Sequence, residues 1–144
     1  MKRLSFIIIL LLTVQLSAKA SNDKAITFEE LPVQSQQFIK QHFANQTIAL
    51  IKMDCDILDK SYEVIFTNGN KVEFNRRGDW KEIFCKQMPE EVIPSEIKKY
   101  VLKNYPNNAI VKIERESRGR HEIDLQNGLS LKFDAQYNLI DIDD

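Results

Sequence analysis

The sequence repeats itself, and this internal repeat constrains the fold more than any other feature. Leu31-Pro32 aligns with Ile93-Pro94 at an offset of 62 residues. Further along, Asn68-Gly69 aligns with Asn127-Gly128 at an offset of 59. The change of offset predicts a three-residue insertion in the first copy, near residues 54–61. Because a chance match would not keep register over so many apolar positions, we infer two tandem copies of one supersecondary unit.

Each copy predicts one helix followed by antiparallel strands. Pro32 and Pro94 lie where a helix would begin, since proline at the first helical position loses no needed N–H. Apolar residues then follow at helical spacing, and alternating segments flank each Asn-Gly pair, which indicates a hairpin with a type I′ turn. The predicted fold class is α+β: two tandem helix-plus-antiparallel-hairpin repeats, with the helices packed on one face of a continuous antiparallel sheet.

The first twenty residues have the pattern of a cleavable signal peptide. Lys2 and Arg3 precede a short apolar run, and Ala18-Lys19-Ala20 supplies the small residues that a signal peptidase requires. The run is shorter than the roughly 20 apolar residues that span a membrane. We therefore expect a periplasmic or secreted protein that is not inserted in the membrane after cleavage. The expected organisation is a signal peptide at 1–20, repeat 1 at 21–87 and repeat 2 at 88–144, the repeats forming one compact domain.

Charge and cysteine content narrow the possible partners and bonds. Without residues 1–20, the chain has 17 basic and 21 acidic residues, a net charge of −4. Nucleic acid is therefore not an expected partner, because a clustered basic excess is missing. Export permits a disulfide between Cys55 and Cys85, and two buried free thiols are the alternative. Counting by twos along the strands predicts that both thiols face the core.

Short motifs in both copies carry a resemblance to a known family. The first copy contains Phe28-x-Glu30-Leu31-Pro32, Tyr62-Glu63-Val64 and Gly78-Asp79-Trp80, and the second contains Tyr105-Pro106 and Asn127-Gly128-Leu129. In this pattern the chain resembles the exported PepSY-like proteins, also called β-lactamase-inhibitor-like. The resemblance implies a tandem α+β fold and provides no catalytic residues. It also implies binding through the open sheet face, which is how the inhibitor behind the family name holds its target.

The two copies differ on the predicted outer face of the sheet. Period-two alternation assigns charged residues to this face in the second copy, whereas the first copy has large apolar residues at the aligned positions. An exposed apolar cluster with a charged rim indicates a binding surface, and tryptophan is a favoured anchor. Alternatively, the apolar cluster is covered by a terminal segment, by the 54–61 insertion or by a second copy of the chain. The predicted partner-binding residues are the anchors Leu50, Ile65, Trp80 and Phe84 and the rim residues Lys71, Glu73 and Glu82.

The motifs favour binding over catalysis. The sequence contains no recognisable nucleophile–base pair, no glycine-rich phosphate loop and no zinc-protease motif, so we expect no enzyme and no cofactor. Asp54, Asp56 and Asp59 lack the glycine and the spacing of a calcium loop, so we expect solvated acids and no metal. We expect a module that binds another exported protein through the open sheet face, inhibition of that protein being one form of this function. The alternative is a small-ligand or metal-binding envelope protein that uses these three aspartates.

Overall fold

The protein is described by a computed structural model that covers residues 22–144. The predicted signal peptide lies outside these residues. Nine strands form one antiparallel sheet in chain order, and two helices accompany it, so the α+β class is confirmed. The helices are α1 (Val33–His42) and α2 (Ser95–Asn104). The strands are β1 (Lys24–Ala25), β2 (Ile48–Cys55), β3 (Lys60–Phe66), β4 (Lys71–Phe74), β5 (Trp80–Phe84), β6 (Ile110–Arg115), β7 (His121–Leu125), β8 (Ser130–Phe133) and β9 (Leu139–Asp143).

The core lies between the helices and one face of the sheet. Phe43 at the end of α1 stacks on Phe66 of β3, with ring centroids 5.2 Å apart. Tyr100 of α2 meets Phe133 of β8 edge-on at 5.5 Å. Beneath the helices, a single row of aliphatic side chains crosses the sheet from β2 to β9, each the direct cross-strand neighbour of the next. The row consists of Ile51, Val64, Val72, Ile83, Ile113, Ile123, Leu131 and Ile142.

A β-bulge changes the face on which Trp80 lies. Glu73 pairs with Glu82 and Phe74 pairs with Trp80, so Lys81 is an extra residue in β5. The extra residue moves Trp80 to the helix-facing side, because side chains alternate along a regular strand. Trp80 is only 7% exposed and its ring lies 6.3 Å from that of Phe38 in α1. The prediction that Trp80 lies on the outer face is therefore wrong.

Only one of the two cysteines lies where the sequence predicts it. Both are free thiols, so no disulfide joins them. Cys85 is fully buried and its thiol donates to the carbonyl oxygen of Gln87 at 3.1 Å. Burial raises the pKa of the Cys85 thiol, which disfavours the reactive thiolate. Cys55 is exposed at the end of β2, so the prediction of a core-facing position is confirmed for Cys85 and wrong for Cys55.

Four hairpin loops share one geometry, which differs from the predicted type I′ turn. In the first, the Gly69 N–H bonds to the Phe66 carbonyl, and the Phe66 N–H bonds to the Asn70 carbonyl. Gly69 has a φ of 87°, and Asn68 is not among the residues with positive φ. This is a type I turn followed by a left-handed residue, the usual three-residue hairpin loop. The left-handed position of the four loops is filled by Gly69, Gly78, Gly128 and Tyr137.

Gly78 is required for packing as well as for its backbone angle. A Cβ atom at this position would lie 2.7 Å from Pro32 Cβ and 2.9 Å from Ser35 Oγ, at the start of α1. The buried Ser35 hydroxyl donates to the Gly78 carbonyl at 3.1 Å. The loop between β4 and β5 therefore fixes where α1 sits on the sheet.

Gly78→Ala tests this close approach, with Gly69→Ala as the matched control. Both glycines have positive φ, but a Cβ at Gly69 meets nothing within 4 Å. The left-handed backbone costs each variant about 1–2 kcal/mol. The clash with α1 adds about 1–3 kcal/mol to Gly78→Ala alone. Urea denaturation measures the free energy of unfolding of both variants. Equal losses of stability would show that the position of α1 does not depend on its contact with Gly78.

Candidate functional site

The sheet face opposite the helices, here called the open face, carries an apolar strip at its β2–β5 end. Leu50 pairs with Ile65, which pairs with Lys71, which in turn pairs with Phe84. Leu50 is 39% exposed and Phe84 is 38% exposed, while Ile65 between them is half-buried. The predicted anchors other than Trp80 therefore lie in one cross-strand row, together with the rim residue Lys71.

A second row on the open face brings five glutamates side by side. Each is the direct cross-strand partner of the next, over five consecutive strands. Like charges in directly opposed positions of a sheet repel one another. The members of this glutamate row are Glu63, Glu73, Glu82, Glu114 and Glu122.

Every glutamate of the row has a lysine ammonium within 4 Å: Lys52 lies 3.6 Å from Glu63, Lys81 lies 3.3 Å from Glu73, and Lys132 lies 3.4 Å from Glu122. Lys112 serves the middle of the row. Lys112 Nζ lies 3.2 Å from Glu114 and 3.7 Å from Glu82, and it also approaches Glu122 and Asp124 within 4 Å. Burial lowers the pKa of Lys112, but its hydrogen bond to Glu114 and the charges of Glu82 and Asp124 outweigh this effect and raise it. One lysine thus serves four carboxylates at the centre of the sheet.

In the middle of the glutamate row, burial and the neighbouring glutamates disfavour the charged form of Glu82. Burial, and then the charges of Glu114 and Glu73, raise the pKa of Glu82, although Lys112 acts in the opposite direction. The charged form of Glu82 is therefore less favourable in the folded protein than in water. The rim residues Glu73 and Glu82, predicted individually, belong to this larger row.

The most exposed apolar side chains lie elsewhere, at the turn between β2 and β3. Ile57 is 96% exposed and Leu58 is 93% exposed. This turn lies in the segment 54–61, where the sequence predicts a three-residue insertion. Among the predictions, this segment appears only as an alternative cover for the open face, although two consecutive large aliphatic residues, Ile57 and Leu58, are visible in the sequence.

The three aspartates of the calcium alternative do not lie together: Asp56 and Asp59 are in this turn, and Asp54 is in a cleft on the open face. The carboxylates of Asp56 and Asp59 accept hydrogen bonds from the backbone N–H groups of Ile57 and Lys60. Asp54 instead lines a shallow cleft on the open face with Asp23, Lys52, Ser61, Glu63 and Glu73. Within residues 22–144, no three histidine, cysteine or acidic side chains are placed so that they could hold a metal ion.

The model of the family described as "putative beta-lactamase-inhibitor-like, PepSY-like" matches residues 60–141. The chain belongs to the PepSY-like family. This confirms the resemblance drawn from the motifs. A search of curated proteins finds no match.

Three solved structures are similar to this PepSY-like protein. A "putative periplasmic protein" of Bacteroides vulgatus is 49% identical, with 87% of this chain and 99% of that chain covered and a TM-score of 0.82. A "putative calcium-regulated periplasmic protein" of Bacteroides thetaiotaomicron is 52% identical, with 85% and 97% covered and a TM-score of 0.82. A second Bacteroides vulgatus protein, of unknown function, is 36% identical, with 85% and 99% covered and a TM-score of 0.79.

These relatives confirm the predicted location of the PepSY-like protein. They are described as periplasmic, which agrees with a periplasmic or secreted chain. In the part of the chain that the structure describes, neither helix has the length and apolar character needed to cross a bilayer.

Glu82→Gln tests the effect of burial and of the neighbouring glutamates on Glu82. The pKa of Glu82 is higher in the folded than in the unfolded state, so its contribution to stability is lost as pH rises through the folded value. Glutamine does not titrate, so at pH 7 the variant should be more stable by about 0.5 kcal/mol, a small gain because solvent screens the half-exposed row. The gain should vanish below the ordinary glutamate pKa of about 4.3.

Glu90→Gln is the matched control, because Glu90 lies outside the row and pairs with Lys98 at 3.3 Å. It should be neutral or slightly destabilising at pH 7. Urea titrations at pH 3.5 and pH 7 measure both variants. A destabilised Glu82→Gln at pH 7 would show that Lys112 more than compensates the row.

Proposed function

We propose that this protein is an exported binding module that engages another envelope or secreted protein through its open face. The single observation that carries the proposal is the apolar strip beside the glutamate row. Leu50, Ile65 and Phe84 would be the anchors, with Lys71, Glu73 and Glu82 at the rim. Trp80, which packs against α1, is not part of the proposed contact.

The charge of the glutamate row supports this proposal. Five glutamates against the four lysines Lys52, Lys81, Lys112 and Lys132 leave this part of the open face negative, and stability is commonly sacrificed at functional surfaces. A basic patch on the partner would neutralise the row on binding and would increase the association rate at low salt. The partner we propose therefore has basic side chains around a shallow apolar surface.

Binding of this kind would act by occlusion and not by catalysis. The family description as inhibitor-like agrees with such a role. A sheet face about five strands wide would cover the mouth of an active site without any chemistry of its own. We therefore propose inhibition of an exported protein as the specific form of the function.

The two halves of the domain are also proposed to be tandem copies, at 21–87 and 88–144. Both helices contain ten residues and directly follow a proline. Bulges interrupt β2 between Ile48 and Leu50 and β6 between Ile110 and Lys112, at aligned positions. In this proposal the first copy evolved the apolar strip and the second kept a charged surface.

A second candidate function is a response to calcium. It is favoured by the description of the Bacteroides thetaiotaomicron relative as calcium-regulated, at 52% identity. The turn that holds Asp56 and Asp59, with Asp54 just before it, would supply the oxygen ligands that Ca²⁺ prefers. The turn would have to rearrange, because both carboxylates now accept backbone hydrogen bonds.

The partner-binding proposal is tested with the double variant Leu50→Asp/Phe84→Asp. A protein captured from the periplasmic extract is identified, purified and titrated by calorimetry. We expect the double variant to bind at least tenfold more weakly, because central apolar anchors typically contribute about 2 kcal/mol or more each. Leu102→Asp is the control, since Leu102 is 67% exposed on α2. Equal affinity of the folded double variant and the wild type would exclude the open face.

The calcium candidate is tested by titrating calcium chloride into the mature protein. We expect heat at micromolar metal that is lost in Asp56→Ala and retained in Asp141→Ala, whose carboxylate lies on β9 away from the turn. An absence of heat in the wild-type titration would rule this candidate out.

A further inference from the structure

A second polar and aromatic cluster lies on the helix-facing side of the sheet, away from the open face. The guanidinium carbon of Arg115, at the end of β6, lies 3.7 Å from the ring centroid of Trp80. Arg115 pairs across the sheet with His121, whose ring lies 5.4 Å from that of Tyr137. Arg115 and Trp80 line a cleft of about 200 Å³ together with α1 and the Gly78-Asp79 loop, and His121 and Tyr137 lie beyond Arg115, outside the lining.

Arg115 has a stacking partner but no ion-pair partner. Among residues 22–144, no carboxylate oxygen lies within ion-pair distance of its guanidinium. Asp79 is the acid whose charge acts on it, but the Asp79 oxygens are already engaged by Gln34 at 2.7 Å, Asn75 at 3.2 Å and Arg77 at 3.6 Å. Arg115 is exposed as a whole residue, and the partial burial of its guanidinium against Trp80 lowers its pKa.

Stacking uses the face of a guanidinium and leaves its edge available. The N–H groups of arginine point outward in the plane of the group, in a fork that matches the two oxygens of a carboxylate. The Trp80 ring against the guanidinium limits the orientations of the Arg115 side chain, so less side-chain entropy is lost on binding. Gln37 and Gln41 of α1 line the same cleft and offer amide donors beside the fork. Gln34 and Asp79 also line it, and the Gln34 amide donates to the Asp79 carboxylate at 2.7 Å.

Two neighbouring residues are held at a cost to stability. Nδ1 of His121 is buried with no hydrogen-bond partner. Tyr137 has a φ of 64°, in the loop position that glycine fills in the three equivalent hairpins. Left-handed backbone at a bulky residue and an unsatisfied buried polar atom both concentrate at functional sites. Burial, followed by the charge of Arg115, lowers the pKa of His121, so the histidine is neutral at pH 7 and leaves Arg115 as the positive group of the pair.

We propose that this cleft binds a carboxylate group through the in-plane N–H groups of Arg115, with Trp80 as the platform that orients them. The cleft is smaller than the roughly 300–1,000 Å³ of sites for drug-sized ligands, so it accommodates a single small group. Two sources supply this chemistry: a free small organic acid, or the terminal carboxylate of a peptide. The site is independent of the proposed partner-binding role of the open face.

Trp80 is the sole tryptophan of the chain, so its fluorescence reports directly on the cleft. The mature protein is titrated with sodium succinate, with N-acetyl-Ala-Ala and with the amide of the same dipeptide, at constant ionic strength. Calorimetry is run in parallel, because substitution of Arg115 changes the fluorescence by itself. We expect a saturable change with at least one carboxylate and none with the amide. Saturation by succinate alone identifies a free acid as the source, and saturation by the dipeptide acid identifies a peptide terminus.

Arg115→Gln should lower the affinity for the carboxylate that saturates the wild type at least tenfold. Arg115→Lys, which keeps the charge but loses the planar fork, should also lower this affinity. Arg77→Gln is the control of equal charge change, since the Arg77 side chain is 84% exposed and contacts Asp79. If neither carboxylate saturates the wild type, or if folded Arg115→Gln binds like the wild type, the proposal is overturned.

Discussion

The pairing of β5 with β6 is the interaction on which the rest of the structure depends. It joins the half that contains α1 to the half that contains α2 through Glu82–Glu114, Ile83–Ile113 and Phe84–Lys112. Without it, each half would have an exposed strand edge and only half of a core, and small isolated sheets are marginally stable. With it, one row of aliphatic side chains runs unbroken beneath both helices, and each helix covers part of a shared core.

The same pairing creates the charge pattern of the open face. Because successive side chains alternate between faces, the register that aligns Ile83 with Ile113 also aligns Glu82 with Glu114. A slip that separated the glutamates would move the aliphatic row out of the core. Burial of the inner row thus stabilises a register that electrostatics alone would oppose, and Lys112 at the centre reduces the repulsion. The core and the proposed binding surface are consequences of one alignment.

Much of the architecture could be predicted from the sequence because its signals are local. Helical spacing after a proline and alternation around Asn-Gly act over a few residues, so both helices and the position of the hairpins were predicted correctly, although their turn type was not. Period-two counting also placed Leu50, Ile65 and Phe84 on one face. Period-two counting assigns the wrong face where a β-bulge adds a residue, as at Lys81, because the sequence does not show which residue is extra. Trp80 was therefore assigned to the wrong face.

By itself, the sequence determined the α+β class, the family, the periplasmic or secreted location and most of the residues on the open face, because repeated motifs and alternation are readable without distances. Only the tertiary structure decided which side chains meet across strands. The alignment of five glutamates, the stacking of Arg115 on Trp80 and the separation of Cys55 from Cys85 depend on register and bulges. Register is set by the summed burial of a whole strand against its neighbours, which no local segment of the chain encodes.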